Sequence, residues 1–212
     1  MTKARVSNRR SRTFATSLFG LLAFAAGPVT LAGPPDLVYP CLGCHGLDGV
    51  SYNPAVPTIA GASVFYLENQ LLLFQGDDRP CVGEIYATIP GAPAPDHCAL
   101  VRDLSDDAIE VIATHFSEQA FEAASQSVDP DRAEAGASIY QRSCQRCHTE
   151  GGSNPDDDGG ILAGQWESYL LRAITDLRDG RRLQPRGMAW ETQKLSDEDI
   201  EALAAYFAGQ GQ

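Results

Sequence analysis

Two copies of one pentapeptide constrain this chain more than any other feature. Cys41-Leu42-Gly43-Cys44-His45 and Cys144-Gln145-Arg146-Cys147-His148 both read C-x-x-C-H, and they stand 103 residues apart in a chain of 212. The spacing has a chemical reason. Two thiols three residues apart lie about one helical turn from each other, so each can form a thioether to a haem vinyl group. The adjacent histidine is then placed under the iron as proximal ligand. C-x-x-C alone also serves redox disulfides and zinc sites, and two such pairs can build a zinc ribbon. The histidine that closes both copies favours haem.

The repeat extends beyond the motifs. The offset of 103 also relates Gly61 to Gly164, Tyr66-Leu67 to Tyr169-Leu170, and Leu71 to Ile174. Further on, Leu104-Ser105-Asp106-Asp107 matches Leu195-Ser196-Asp197-Glu198 at an offset of 91. The first half therefore carries 12 extra residues between Phe74 and His97. Two haem domains of under about 100 residues each are expected, with the cofactor supplying core that small domains lack. The expected division is 33–116 for the first domain, 117–130 for a linker and 131–212 for the second.

The amino terminus reads as an export signal, residues 1–32. Lys3, Arg5, Arg9, Arg10 and Arg12 precede an apolar run from Phe14 to Ala26, and Thr30-Leu31-Ala32 resembles a cleavage site. The run is too short to span a bilayer comfortably, and no other segment is apolar enough, so no membrane span is expected in the mature chain. Loss of those five charges takes the formal net charge from −12 to −17. Such a chain lacks the basic face that nucleic acid requires, and it suits a basic protein partner. Export implies a periplasmic location, where haem is attached. Six cysteines are too few for a disulfide-dense scaffold.

Local patterning predicts helices throughout. Asp131 to Cys147 reads as a helix leading into the second motif, with Gly136 and Tyr140 on one face where a small residue admits a neighbouring helix. Asp36 to Cys44 is its shorter, proline-broken counterpart. Ser63 to Phe74 and Trp166 to Asp179 read as middle helices with Tyr66 and Tyr169 facing inward. Ser105 to Phe116 and Ser196 to Phe207 read as closing helices, each with a serine N-cap followed by acids that suit the helix dipole. The Gly-, Asp- and Asn-rich stretch 151–160 reads as a surface loop.

At this point the chain resembles the class I diheme cytochromes c of the cytochrome c4 type over its whole mature length. The second half also resembles the haem subunit of flavocytochrome c sulfide dehydrogenase, through Cys144 to Gly152, Ile161-Leu162-Ala163-Gly164-Gln165-Trp166 and Tyr169-Leu170. The resemblance implies an all-α fold of two tandem class I cytochrome c domains, each wrapped around a covalent haem c. It implies attachment through Cys41, Cys44, Cys144 and Cys147, with His45 and His148 as proximal ligands. It also implies a proline carbonyl that orients the proximal histidine. Pro57 fits that role in the first half, whereas the matching position in the second half is Gly160.

The distal ligands differ between the halves. Met1 leaves with the signal, so only Met188 can serve as a thioether ligand, on a stretch that Pro185 is expected to hold extended. The family carries a methionine in both halves, and the first half here has none. The offset of 91 maps Met188 onto His97, and each lies seven residues before its matching leucine. His115 maps onto Tyr206 and reads as a packing or surface residue. Cys81 and Cys98 remain after the haem cysteines are removed, and in an oxidising compartment a disulfide between them is expected. Two other readings stand beside it: Cys98 as a thiolate ligand to iron, or Cys81, His97 and Cys98 holding copper.

The functional expectation is electron transfer, because two six-coordinate haems leave no open iron. The chain would act as a soluble carrier feeding a terminal oxidase, or as the haem subunit of a sulfide-oxidising flavoprotein. The rival is an enzyme, such as a thiosulfate dehydrogenase or a peroxidase with catalysis at the first haem. His97 as distal ligand supports transfer; Cys98 or a vacant position supports catalysis. A redox or gas sensor is a third class, but no segment supplies an output domain.

Overall fold

The computed structural model describes residues 35–81, 96–157 and 159–211. The expected export signal and most of the insertion after Phe74 lie outside them. Among the described residues the chain is helical and has no strand. The first half contains α1 (Tyr39–His45), α2 (Val64–Gln75), α3 (His97–Val101) and α4 (Asp106–Ser117). The second contains α5 (Pro130–Ile139), α6 (Glu167–Arg178), α7 (Arg186–Thr192) and α8 (Asp197–Gly209). Residues 118–129 join them without regular structure.

The expected helix starts are present. Ser63, Ser105 and Ser196 each accept a backbone N–H three residues on, and Ser196 forms a full capping box with Asp199. Each closing helix runs through its half's core. On α4, Ile112, Ala113 and Phe116 pack against Val38, Ala62 and Leu67. On α8, Leu203, Ala204, Phe207 and Ala208 pack against Ile139, Tyr140, Tyr169 and Leu170. Gly136 is the reason α5 can lie against α8: a methyl group there would overlap the Ala202 carbonyl.

The repeat seen in the sequence is also a repeat of backbone contacts. Gly61 N–H donates to Phe116 O at 2.9 Å, and Gly164 N–H donates to Phe207 O at 2.8 Å. Both glycines have a positive φ, 71° and 73°, which other residues adopt only with strain. These bonds pin the loop after each motif to the last turn of its closing helix.

Two expectations need correction. The helix from Asp131 does not run as α-helix to Cys147. It ends at Ile139 and continues as a π-turn, Tyr140–Cys144, closed by Gln145 N–H to Tyr140 O at 3.0 Å. The Tyr140 hydroxyl there donates to His148 O at 2.8 Å and accepts from Gly151 N–H at 2.9 Å, so the turn sits where one phenol braces the motif's exit. The first-half counterpart is broken near its proline as expected: a 3-10 turn, Asp36–Val38, precedes α1, because Pro40 fits only the first helical turn. The segment carrying Met188 is not extended. Pro185 ends the extended stretch and caps α7, leaving Met188 half-buried in that helix's first turn.

Candidate haem sites

In the first half, α1 carries Cys41, Cys44 and His45 on consecutive turns. Burial, with the neighbouring Cys44 thiol, pushes the Cys41 thiol up to about 11. Burial, with Glu191 and Cys147, does the same to Cys144, also to about 11. None of the four motif cysteines is engaged in a disulfide. They do not converge on a zinc site: among the described residues, Asp77, Cys81 and Cys98 are the one trio of potential ligand atoms within 4.8 Å of each other. Two of that trio form a disulfide, with Cα atoms 5.2 Å apart. The sulfur of Cys98 is thereby occupied, and the thiolate and copper readings lose their donor.

His45 Nδ1 lies 2.9 Å from Pro57 O. A carbonyl only accepts, so Nδ1 carries the proton and Nε2 keeps its lone pair. Burial drives the His45 pKa down to about 4, against the Pro57 bond, with His97 and Arg79 adding to the fall. The ring is therefore neutral near pH 7, the form in which imidazole binds metal. His97 is the first residue of α3, whose N-cap Asp96 accepts from Ala99 N–H. Its ring stacks on Phe74 at 4.6 Å, and its N–H donates to Cys81 O at 3.1 Å. The His45 and His97 rings are 6.3 Å apart between centroids and inclined at 73°. Two imidazoles on opposite sides of one metal, each with a bond of about 2.0 Å, put their centroids about 6 Å apart. The residues present fit a haem iron between these rings.

The second half differs. His148 is buried, and its Nδ1 has no hydrogen-bond partner among the described residues. Gly160 does not take the role of Pro57. It packs against the Tyr66 ring, while Gly159 packs so closely on the His148 ring that a side chain there would overlap it. His115 is half-buried, edge-on to Phe116 at 5.0 Å, and its Nε2 is buried.

Between the halves lies a set of residues that the sequence reading missed. Thr58 N–H donates to Gln165 Oε1 at 3.0 Å, and Gln165 Nε2 donates back to Thr58 O at 2.7 Å. Trp166 Nε1 donates to Ser51 O and Arg172 to Ala55 O, both at 2.9 Å. Arg79 and Arg182 both donate to Gln70 Oε1, at 2.8 and 2.5 Å. These arginines are themselves related by the offset of 103, a signal that was available in the sequence. They sit with Tyr66 and Tyr169, the inward-facing pair. Burial raises the Tyr66 pKa. For Tyr169 the cost of burial is outweighed by Arg79, Arg182 and Arg172, and its pKa falls.

Residues 131–207 match the family model described as cytochrome c oxidase, cbb3-type, subunit III. A cytochrome c4 of Stutzerimonas stutzeri is 32% identical over 184 residues, 80% of this chain and 83% of that protein. The crystal structure of reduced recombinant cytochrome c4 from Pseudomonas stutzeri superposes with a TM-score of 0.66 at 31% identity, over 82% of this chain and 94% of the other. A thiosulfate dehydrogenase electron acceptor of Stutzerimonas stutzeri is 26% identical over 86% of this chain and 84% of its own. With both C-x-x-C-H motifs presented on a duplicated helical fold, the chain belongs to the cytochrome c4 family and carries two covalent haem c groups, attached through Cys41 and Cys44 and through Cys144 and Cys147.

Proposed function

We propose that this protein is an exported, periplasmic electron carrier whose first haem is held between His45 and His97 and whose second is held by His148 and Met188. The observation that carries the reading is the neighbouring pair of imidazoles with centroids 6.3 Å apart. The haems supply one-electron redox chemistry. The residues of this chain set its direction and keep it free of bond-making steps. His97 would hold the distal position of the first site and leave no open one for small molecules. Imidazole stabilises ferric iron better than thioether, so the first site has the lower potential and the second, with Met188, the higher. With haem bound at both sites, electrons would enter at the amino-terminal one and leave from the carboxy-terminal one. The cationic set Arg79, Arg182 and Arg172 between the halves suits the carboxylates that haem carries.

The electron donor proposed is a dehydrogenase acting on reduced sulfur compounds. The similarity to a thiosulfate dehydrogenase electron acceptor supports it, as does the resemblance of the second half to the haem subunit of a sulfide-oxidising flavoprotein. A terminal oxidase is the proposed acceptor. No helix among the described residues is long and apolar enough to cross a membrane.

Ferric spin state and carbon monoxide binding test the reading. The wild-type diheme protein should be low-spin at both irons and bind carbon monoxide poorly at the first. A high-spin first iron that binds carbon monoxide readily would instead favour catalysis there.

A further inference from the structure

His45, the proximal histidine on the reading above, is hydrogen-bonded to a peptide unit that the other half of the molecule also grips. His45 Nδ1–H donates to the carbonyl of Pro57 at 2.9 Å. The N–H of that same peptide unit belongs to Thr58, and it donates to Gln165 Oε1 at 3.0 Å. The amide of Gln165 also holds Thr58 O at 2.7 Å and Ile161 O at 3.2 Å, so its orientation is set on both sides. Gln165 and Thr58 are 4% and 5% exposed, so water does not compete for these bonds. The two ends of a peptide unit are conjugated. An acceptor on the N–H draws electron density toward the carbonyl oxygen and makes it a stronger acceptor in turn. Pro57 O therefore pulls harder on the His45 proton because Gln165 is in place.

The arrangement runs in one direction only. The offset of 103 matches Thr58 to Ile161 and Gln165 to Ala62, which has no amide to offer. In the second half, His148 Nδ1 has no partner among the described residues. We propose that Gln165 is a positioning residue for the first haem, acting across the interface through the 57–58 peptide to strengthen His45 as a ligand and to hold that haem at lower potential. The inference rests on the proposal that His45 is an iron ligand. It makes the potential of the amino-terminal haem depend on the docking of the carboxy-terminal half. A partner that loosens this contact raises the potential of the first haem toward that of the second.

The test is a redox titration of the full diheme protein carrying Gln165→Met, which keeps the side chain's size and removes both amide functions. The step of the first haem is identified independently as the one that responds to His97→Met. Gln165→Met should raise that step and leave the other where it is. Trp166→Phe is the control, because it removes a different bond between the halves, the one from Trp166 Nε1 to Ser51 O. A shift of equal size in Trp166→Phe would mean general loosening and would overturn the proposal. Two unmoved steps in a folded Gln165→Met variant would also overturn it, while leaving the haem assignments intact. The His45 ring N–H, followed by proton NMR in the ferric protein, gives a second readout. It should exchange with solvent more slowly in the wild type than in Gln165→Met, and equal exchange counts against the proposal. If His45→Ala left both haem steps in place, the ligation reading itself would fall.

Discussion

The imidazole rings of His45 and His97 meet edge-on, inclined at 73° with centroids 6.3 Å apart, although the two residues stand 52 positions apart in the chain. His97→Ala removes one ring of the pair. The ferric first haem should become partly high-spin, and carbon monoxide should bind the reduced protein at one haem only. His97→Met should stay low-spin and raise the lower redox step. Absorbance and electron paramagnetic resonance read the first effect, and redox titration reads the second. Unchanged spectra and steps in both variants would remove His97 from the site.

Met188 sits in the first turn of α7, and it is the one methionine beyond the expected export signal. Met188→His should lower the higher step and bring the two steps together, because imidazole favours ferric iron. Met188→Ala should open the second iron to carbon monoxide. A second step that ignores both changes would point to a different distal ligand.

Cys81 and Cys98 are joined, and Cys81 O accepts from His97 N–H. The native protein should show no reactive thiol until a reductant is added. Replacing both cysteines by serine should cost about 2–4 kcal/mol in denaturant unfolding, as for other disulfides closing loops of this length. Ready labelling of two thiols in the untreated protein would argue for a free pair.

Gly136 lies against Ala202 O where α5 meets α8. Gly136→Ala should destabilise the second half by about 1–3 kcal/mol despite the better helix propensity of alanine, because overpacking outweighs it. Calorimetry and the second haem's absorbance should report the loss together. A neutral or stabilising result would mean that the two helices can move apart freely.

Asp179 accepts from Arg178 at 2.8 Å and from Arg181 at 2.7 Å, and these bonds hold its carboxyl below the usual carboxylate range. Because the folded pKa is depressed, the unfolded chain takes up the proton first as pH falls. The contribution is fully present above the unfolded value of about 3.9 and is lost as pH falls through the lower folded one. Asp179→Asn should therefore lower Tm slightly at neutral pH, and the gap to wild type should close below about pH 4. Added salt should also narrow it, since the group is exposed. A gap that persists in acid would assign the effect to lost packing.

The helices and their starts were legible because serine caps, acids in the first turn and apolar spacing act within a few residues. The departures came where tertiary contacts override local preference. Tyr140 was expected in mid-helix, and it opens a π-turn whose hydroxyl braces His148 O and Gly151 N–H. The carbonyl role of Pro57 was readable from the family resemblance, and the His45 bond bears it out. Extending it by offset to Gly160 misled, because a glycine can turn its peptide away, and here it packs on Tyr66. Gln165 was visible only as part of a resemblance. Its partner lies 107 residues away, and no local pattern marks such a contact.

The sequence by itself determined where two haems are bound, that the chain is a duplication, and which half lacks a methionine. Covalent attachment is written in five contiguous residues, and a duplication survives as an offset. Only the tertiary structure decided that the His97 ring lies beside that of His45, that Cys98 is spent in a disulfide, and that the second half reaches the first half's histidine through Gln165. Those relationships are distances between residues far apart in the chain. The packing of α2, α3 and the two halves against one another sets them, and local spacing does not encode that packing.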